Sequence, residues 1–172
     1  MFVNPSAPLA EGGHPTSSNL KGGMAMPSTT IELSIRCSDL CDRDVMSKSD
    51  PVCVMYQKFG PSNTSQWQEV GRTELVENSL NPAWQKKFVV EYRFEERQQV
   101  KFEVYDWDAT TKRLSEHDFL GRCETALGQI VSSQGKQYVS VLKGDKTITV
   151  SGKIFVSAEE LKDIITNTAY AA

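Results

Sequence analysis

The chain has 172 residues, of which 39% are hydrophobic and 24% charged, and this composition is ordinary for a water-soluble globular protein. Its length allows one domain with a hydrophobic core and some additional tail. The formal net charge of −3 excludes the basic excess that marks a general nucleic-acid binder, so attraction to an acidic surface has to be local or supplied by an ion.

Targeting and cysteine patterns limit the class of protein further. The N-terminus lacks a basic flank followed by a long apolar run, so no signal peptide is predicted. No segment approaches the roughly 20 apolar residues of a membrane-spanning helix. The four cysteines lack the paired spacing of a zinc site, and we expect them to be reduced. These features predict a cytoplasmic protein.

The N-terminal part of the chain differs sharply from the remainder. Residues 1–29 contain scattered Pro, Gly and Ser with few apolar side chains, and they are predicted to form a disordered arm. From Ile31 to Cys37, apolar and polar residues alternate with the period of two that is typical of a strand with one buried face. This strand leads directly into an acidic loop, Cys41–Pro51.

Seven further strands are predicted after this loop. They cover about 52–58, 67–75, 88–94, 100–105, 119–125, 137–142 and 148–156. A helical turn is expected at 127–131, and a bulge or close approach at Gly152. Ser157, with Glu160 three residues later, resembles a helix cap, so residues 158–172 are predicted to be a short helix or a linker towards a following domain.

About eight short strands at regular spacing, with almost no helix, predict an antiparallel Greek-key β-sandwich over residues 30–157. Only one strand precedes the first acidic loop, and a long strand closes the domain.

The first acidic loop carries Asp44 and Asp50, six residues apart, with Val45 and Met46 between them. One acidic pair in a loop is more often a turn or a cap than a set of metal ligands. Val45 and Met46 are also compatible with scattered surface apolar residues, which need no functional explanation.

A second acidic group follows the fifth strand. Asp106 and Asp108 share the parity of that strand's apolar residues, so both are predicted to project towards the gap between the sheets, and Asp118 lies further on. We expect the two acidic loops to meet. Five carboxylates in one small volume are stable at neutral pH only when a cation neutralises them. Trp84 and Trp107 are expected to be packing residues rather than lipid anchors.

Four motifs occur in an order that resembles a C2 domain. They are Asp44 followed by Ser49-Asp50-Pro51, then Ser79–Trp84, Tyr105–Asp108 and His117–Gly121. The resemblance covers roughly residues 30–161. Within a family of this kind, one strand before the first acidic loop and a long closing strand favour the circularly permuted, type II arrangement, in which the final strand takes the place of the first strand of the other type. More narrowly, the phrases SDLCDRDVMSKSDP, FEERQQVKFEVYD and LGQIV are similar to the first of the two N-terminal C2 domains of copines.

The resemblance implies that Ca²⁺ binds at the family's ligand positions, which fall on Asp44, Asp50, Asp106, Asp108 and Asp118. Oxygen ligands from two loops also suit calcium, which takes about six to eight oxygens, and no histidine or thiolate is placed for a softer metal. Asp108 and Asp118 are ten residues apart, which is longer than the family spacing. Asp118 therefore reaches the ion only if the extra residues loop out.

Calcium-dependent binding to anionic, phosphatidylserine-type phospholipid membranes is the function that the resemblance implies. The protein would then move from the cytoplasm to the plasma membrane, or to another anionic membrane, when calcium rises. The residues expected to contact the membrane are Val45, Met46, Lys48, Lys112, Arg113 and Leu114. For Lys112 and Arg113, a solvated loop tip is an equally good interpretation. As an isolated domain, the chain is expected to be a monomer without a nucleic-acid partner.

Two other function classes remain open. A calcium-independent C2 scaffold that binds a protein partner would use the same fold. A metal-dependent hydrolase would need a general base beside the metal, and the loops offer only more aspartate, so the chain is predicted not to be an enzyme.

Strong phosphoinositide selectivity is not expected. The resemblance implies a lysine-rich groove of the kind that some protein kinase C-type C2 domains use for phosphoinositides. Here Val54 and Tyr56 stand where that groove would have lysines and Arg72 remains, although Lys86 and Lys87 could compensate.

Overall fold

The computed structural model describes residues 27–42, 47–58, 66–133, 137–146 and 150–162. These ranges contain eight strands, one short α-helix and one 3-10 turn. The strands are β1 (Ser28–Ser38), β2 (Pro51–Lys58), β3 (Trp67–Arg72), β4 (Phe88–Arg93), β5 (Gln99–Asp106), β6 (Asp118–Ala126), β7 (Tyr138–Val141) and β8 (Lys153–Glu160). The helix α1 covers Leu127–Val131, and the 3-10 turn covers Leu114–Glu116.

The strands form two four-stranded antiparallel sheets, with the orders β4-β1-β8-β7 and β3-β2-β5-β6. The predicted eight-stranded antiparallel sandwich is therefore confirmed. The final strand β8 pairs with β1 along its length, from Ile31 opposite Glu160 to Ser38 opposite Lys153. This position beside the first strand agrees with the permuted order that the sequence favours.

The core lies between the inner faces of the two sheets. On β1, the alternating apolar residues are buried as the period of two predicts. They pack with fully buried side chains of the second sheet, such as Phe102 and Leu120. Burying a side chain of this size contributes about 1.5–3 kcal/mol, so the strand alternation itself accounts for much of the driving force for folding.

Trp84 anchors the connection between β3 and β4. Its indole is 5% exposed, and its Nε1 donates a hydrogen bond to the carbonyl oxygen of Pro51 at 3.1 Å. Nearby, the amide of Ser79 donates to the oxygen of Ser49 at 2.9 Å, and the amide of Leu40 donates to Leu80 at 3.0 Å. The β3–β4 connection therefore braces the first acidic loop, and the interpretation of Trp84 as a packing residue is confirmed.

The helix predicted from Ser157 is wrong. Ser157 lies inside β8, opposite Ser34, and the strand continues to Glu160. Hydrogen bonds to β1 outweigh the local helical propensity of this segment, since propensity is only a weak prior against tertiary pairing. Residues 163–172, the rest of the predicted helix or linker, lie outside the described residues.

Other strand limits also differ from the sequence-based ones. The first strand begins at Ser28, while residues 1–26 of the predicted arm lie outside the described residues. The third strand ends at Arg72, and the last begins only at Lys153. Gly152 precedes it with φ +104°, and a Cβ there would lie 2.7 Å from the oxygen of Ser38, so the predicted close approach is confirmed.

The cysteines are free thiols, as expected for a reduced chain. Cys37, Cys53 and Cys123 are buried, and burial raises the pKa of each of these three thiols. They pack as small apolar residues rather than as nucleophiles.

Candidate functional site

The first acidic loop meets the segment that follows β5. The β2–β5 ladder sets Pro51 opposite Asp106. The amide of Asp50 donates to Oδ1 of Asp106 at 2.6 Å, and the amide of Trp107 donates to the oxygen of Asp50 at 3.1 Å. The two loops are therefore joined side by side, as the sequence pattern predicts.

Asp106 is the buried member of this site. Its side chain is 1% exposed, which agrees with its predicted inward parity. While Oδ1 is bonded, the buried Oδ2 accepts no hydrogen bond from the described residues. Leaving such an oxygen unpaired costs free energy. A hard cation would satisfy it, so the donor chemistry at this position fits calcium.

Asp50 is fixed by a different connection. Its Oδ1 accepts a hydrogen bond at 2.7 Å from the amide of Asn78, in the β3–β4 connection. Asn78 has φ +52°, a left-handed conformation that asparagine tolerates better than most residues. Sequence reasoning missed this corner, although an asparagine in a loop segment is a recognised signal for it.

Asp118 begins β6 and lies opposite Asp106 in the β5–β6 ladder. Its side chain is exposed. The extra residues between Asp108 and Asp118 include the 3-10 turn and His117, whose ring stacks on Trp107 at a centroid distance of 3.7 Å. The longer loop therefore folds outside the ladder and leaves Asp118 beside Asp106, which is the condition set for its participation.

Asp108 belongs to the loop that follows β5. Its side chain is exposed, and its predicted direction towards the gap between the sheets stays a prediction. β5 ends at Asp106, so the alternation of a strand no longer applies two residues later.

Asp44, Val45 and Met46 lie outside the described residues. Within the ranges that the structure does describe, no three His, Cys, Asp or Glu residues form a group that could hold a metal ion. Assignment of the five aspartates as calcium ligands stays a prediction.

The other residues assigned to membrane contact lie at the loop surface. Lys48, Lys112 and Arg113 are exposed, and Leu114 is half-buried at the start of the 3-10 turn. Arg113 also forms an exposed ion pair with Glu116 at 3.5 Å. These positions are accessible, and their contact with lipid stays a prediction.

Beside the loop of residues 107–117, called here the third loop, lies an open groove of about 480 Å³. Its lining includes Val52, Leu75, Arg72, Trp107 and Lys112. Val52 and Arg72 of this lining belong to β2 and β3, and the outer face of the β3-β2-β5-β6 sheet is where sequence reasoning expected a thinned set of cations.

On that outer face the cations have internal partners. Lys101 forms an ion pair with Glu103 at 2.7 Å, and its Nζ lies 4.3 Å from the ring centre of Tyr56. Burial, followed by the charge of Glu103, raises the pKa of Tyr56 and of Tyr105. Sequence reasoning missed this network, although Lys101, Glu103 and Tyr105 alternate on the polar side of β5. The expectation of weak phosphoinositide selectivity is consistent with this pairing but stays untested.

Val54 is fully buried, so it offers no surface to a ligand. Lys86 and Lys87 are exposed, but Lys87 is engaged with Glu32 at 2.6 Å. In the part of the chain that the structure describes, no helix has the length and apolarity needed to cross a membrane.

The comparisons with known proteins agree with this geometry. A family model of the C2 domain matches residues 30–142. A relative named nicotinic receptor-associated protein 1, from Caenorhabditis briggsae, is 42% identical. That match covers 78% of this chain but 25% of the relative, so the chain spans about a quarter of the relative's length.

Two solved structures share the fold at 19% sequence identity. The first C2 domain of plant extended synaptotagmin 1 matches with a TM-score of 0.56, over 78% of this chain and 97% of that domain. A calcium-bound structure of two C2 domains of extended synaptotagmin 2 matches with a TM-score of 0.52, over 77% of this chain and 45% of that structure. Family match, sandwich topology and loop arrangement agree, and the chain belongs to the C2 domain family.

Proposed function

We propose that this C2 domain binds anionic, phosphatidylserine-type membranes in a calcium-dependent manner, as the membrane-targeting module of a copine-like protein. Asp106 carries the proposal. Its carboxylate is 1% exposed, lies where the two acidic loops meet, and keeps one buried oxygen without a donor among the described residues. A buried oxygen of this kind is suited to a hard cation rather than to a protein hydrogen bond.

The five aspartates have different surroundings in the proposed calcium site. Asp106 and Asp50 are held in place, one by a backbone amide of the first loop and the other by the amide of Asn78. Asp108 and Asp118 are exposed, and Asp118 lies opposite Asp106 in the β5–β6 ladder. We assign Asp44 as the fifth ligand. Calcium, when bound, supplies positive charge that offsets these carboxylates and can accept further oxygen ligands from lipid headgroups.

The loop surface supplies the contacts with lipid. Exposed Lys48, Lys112 and Arg113 attract an anionic surface, with about 1 kcal/mol for each cation close to it. Val45 and Met46 are proposed to insert among the headgroups, with a smaller contribution from half-buried Leu114. The resulting location would be the cytoplasm at low calcium, and the plasma membrane or another anionic membrane at high calcium.

Vesicle sedimentation tests this function. Wild-type protein should bind phosphatidylserine vesicles with calcium, but neither in chelator nor to phosphatidylcholine vesicles. Asp106→Asn, alone or with Asp44→Asn, should weaken binding by about tenfold or more, which corresponds to about 1.4 kcal/mol.

Glu91→Gln is the matched control for this experiment. It removes the same charge from an exposed residue of β4, opposite Thr30 and away from the loops, so it should bind as wild type does. Equal binding of the wild type with calcium and with chelator would contradict the proposal.

A second candidate function is calcium-independent protein binding. It is favoured by the name of the Caenorhabditis briggsae relative, which describes that protein as associated with a nicotinic receptor. Capture of a receptor fragment that is unchanged by chelator and by Asp106→Asn would support this alternative, whereas calcium-dependent capture would not.

We also propose that the domain acts without catalysis. Release of fatty acid or phosphate from phospholipid vesicles, above that seen with Asp106→Asn, would contradict this and favour a metal-dependent hydrolase.

A further inference from the structure

A side-chain hydrogen bond from Arg72 connects the third loop to β3, the edge strand of its sheet. Arg72 lies at the end of β3, and its Nη1 donates a hydrogen bond to the carbonyl oxygen of Lys112 at 2.8 Å. The two residues are 40 positions apart in the sequence. The acceptor is a backbone atom of the segment whose side chains are proposed to face lipid. The bond therefore holds this segment in position and leaves the charges of its side chains unchanged.

Glu69 in turn fixes the direction of the Arg72 guanidinium. Nε and Nη2 of Arg72 donate to the two carboxylate oxygens of Glu69, at 2.7 Å and 3.0 Å. This paired geometry matches the planar fork of arginine, and lysine cannot reproduce it. The hydrogen bond with Glu69 is also the main cause that raises the pKa of Arg72.

A ring stack extends the same connection across the loop. The Arg72 guanidinium lies 5.7 Å from the ring centre of Trp107, and Trp107 stacks on His117 with an interplanar angle of 16°. Nε2 of His117 lies 2.9 Å from the carbonyl oxygen of Thr111, within hydrogen-bond distance. The loop between Trp107 and His117 is therefore held from β3 at its middle and from the ring stack at its ends.

We propose that Arg72 is a positioning residue for the third loop, oriented by Glu69, and not an anion contact for lipid. This inference rests on the proposed function, because Lys112, Arg113 and Leu114 are the segment that it positions. A segment already ordered before it meets the membrane loses less conformational freedom on binding. Loss of the hydrogen bond from Arg72 to Lys112 should therefore weaken membrane binding. Asp106 should keep its place, because the amide of Asp50 still bonds to it.

The two possible roles of Arg72 predict opposite effects for its partner. If Arg72 attracted lipid by its charge, Glu69→Gln would remove a neighbouring negative charge and strengthen binding to anionic vesicles. If Arg72 positions the loop, Glu69→Gln frees the guanidinium from its orienting carboxylate and weakens binding. Arg72→Lys separates the roles in the same way, because it keeps the charge and loses the paired geometry.

The experiment compares Arg72→Gln, Arg72→Lys and Glu69→Gln with the wild type. Arg93→Gln is the matched control, because Arg93, at the end of β4, forms exposed ion pairs with Glu91 and Glu96. The first measurement is hydrogen exchange of the backbone amides in residues 111–117, made without vesicles. The second is the affinity for phosphatidylserine vesicles at saturating calcium.

All three test variants should exchange faster in residues 111–117, including the amides of Glu116 and His117, which bond within the 3-10 turn. Each should also bind vesicles about three- to tenfold more weakly, as expected for loss of a charge-assisted hydrogen bond at a partly exposed site. The control should match the wild type in both measurements.

Unchanged exchange in Arg72→Gln would overturn the inference. So would wild-type vesicle affinity in Arg72→Lys together with tighter binding by Glu69→Gln. The exchange measurement does not depend on the membrane. If wild-type protein failed to bind vesicles while the variants still exchanged faster, the fastening of the loop would stand and the membrane function alone would be contradicted.

Discussion

Asp106 combines two properties that are seldom found together in a folded chain. Its side chain is almost completely buried, yet one carboxylate oxygen lacks a donor among the described residues. Buried charges are normally paired or bound to metal ions, because removing them from water is costly. At the scale of single residues, this is the strongest indication that the acidic loops serve a ligand.

Asp106→Asn is expected to abolish the stabilisation of the domain by calcium. A ligand that binds only the folded state adds about 2.7 kcal/mol at a free concentration one hundred times its Kd. The wild type should therefore unfold at a higher temperature in calcium than in chelator, and the variant should show little difference. Scanning calorimetry measures both, with Glu91→Gln as the control. A variant with the full calcium-dependent shift would contradict the assignment of Asp106.

The parity of Asp106 could be predicted from the sequence, but its bonding could not. Alternation along β5 indicates which face each side chain occupies, since that depends only on the period of a strand. The bond from the amide of Asp50 joins residues 56 positions apart. It exists only because β2 pairs with β5 in one particular register.

Elements of irregular backbone decide the shape of the loop end. In the connection between β3 and β4, the carboxylate of Glu74 accepts hydrogen bonds from the amides of Gln85 and Lys86. These two hydrogen bonds, called here the Glu74 clamp, hold the backbone between Trp84 and the start of β4. The clamp holds two backbone amides that no strand pairs.

The clamp makes a contribution to stability that depends on pH. Burial raises the pKa of Glu74, but hydrogen bonds from backbone amides, that of Gln85 first, outweigh it and leave the pKa below its usual value. Because the pKa of Glu74 is lower in the folded chain, the stabilisation by the clamp is complete above the pKa that Glu74 has in the unfolded chain. It is lost as the pH falls through the pKa of the folded chain.

Glu74→Gln should therefore destabilise the domain at neutral pH by about 1 kcal/mol, because the amide side chain keeps one acceptor oxygen instead of two. The difference from the wild type should shrink in acid, where Glu74 is protonated. Urea unfolding at neutral and acidic pH measures this, with Glu95→Gln in an exposed turn as the control. A difference that stays constant with pH would argue against the clamp.

For the molecule as a whole, β1 is one of the two inner strands of its sheet. It pairs with β4 on one side and with β8 on the other. The last residues of β8 pair with Ile31–Leu33, and the amide of Leu161 donates to the oxygen of Thr30 at 2.9 Å. The folded unit therefore extends beyond Ser157, where the sequence pattern had suggested its end.

Truncation tests this domain limit. A chain that ends at Ser157 should lose about 2 kcal/mol or more, because it lacks the Ala158–Glu160 part of the ladder with β1. A chain that ends at Lys162 should be as stable as the full chain. The midpoint of urea unfolding measures both. Equal midpoints for the two truncations would show that the end of β8 contributes little.

Much of this fold follows from the sequence alone. Period-two alternation, turn residues and the order of the motifs determine eight strands, their inward faces and the position of the acidic loops, because each depends on neighbours along the chain. The same local signals failed at Ser157, where helical propensity competed with a partner strand more than a hundred residues away.

Only the tertiary structure decided how the loop end is held together. The bond from Asp50 to Asp106, the left-handed Asn78 beneath Asp50 and the bond from Arg72 to Lys112 each join residues distant in sequence. Such contacts depend on strand register and on the paths of irregular loops, which no local pattern specifies. The sequence thus determined which residues carry the chemistry, and the packing of the two sheets determined which of them meet.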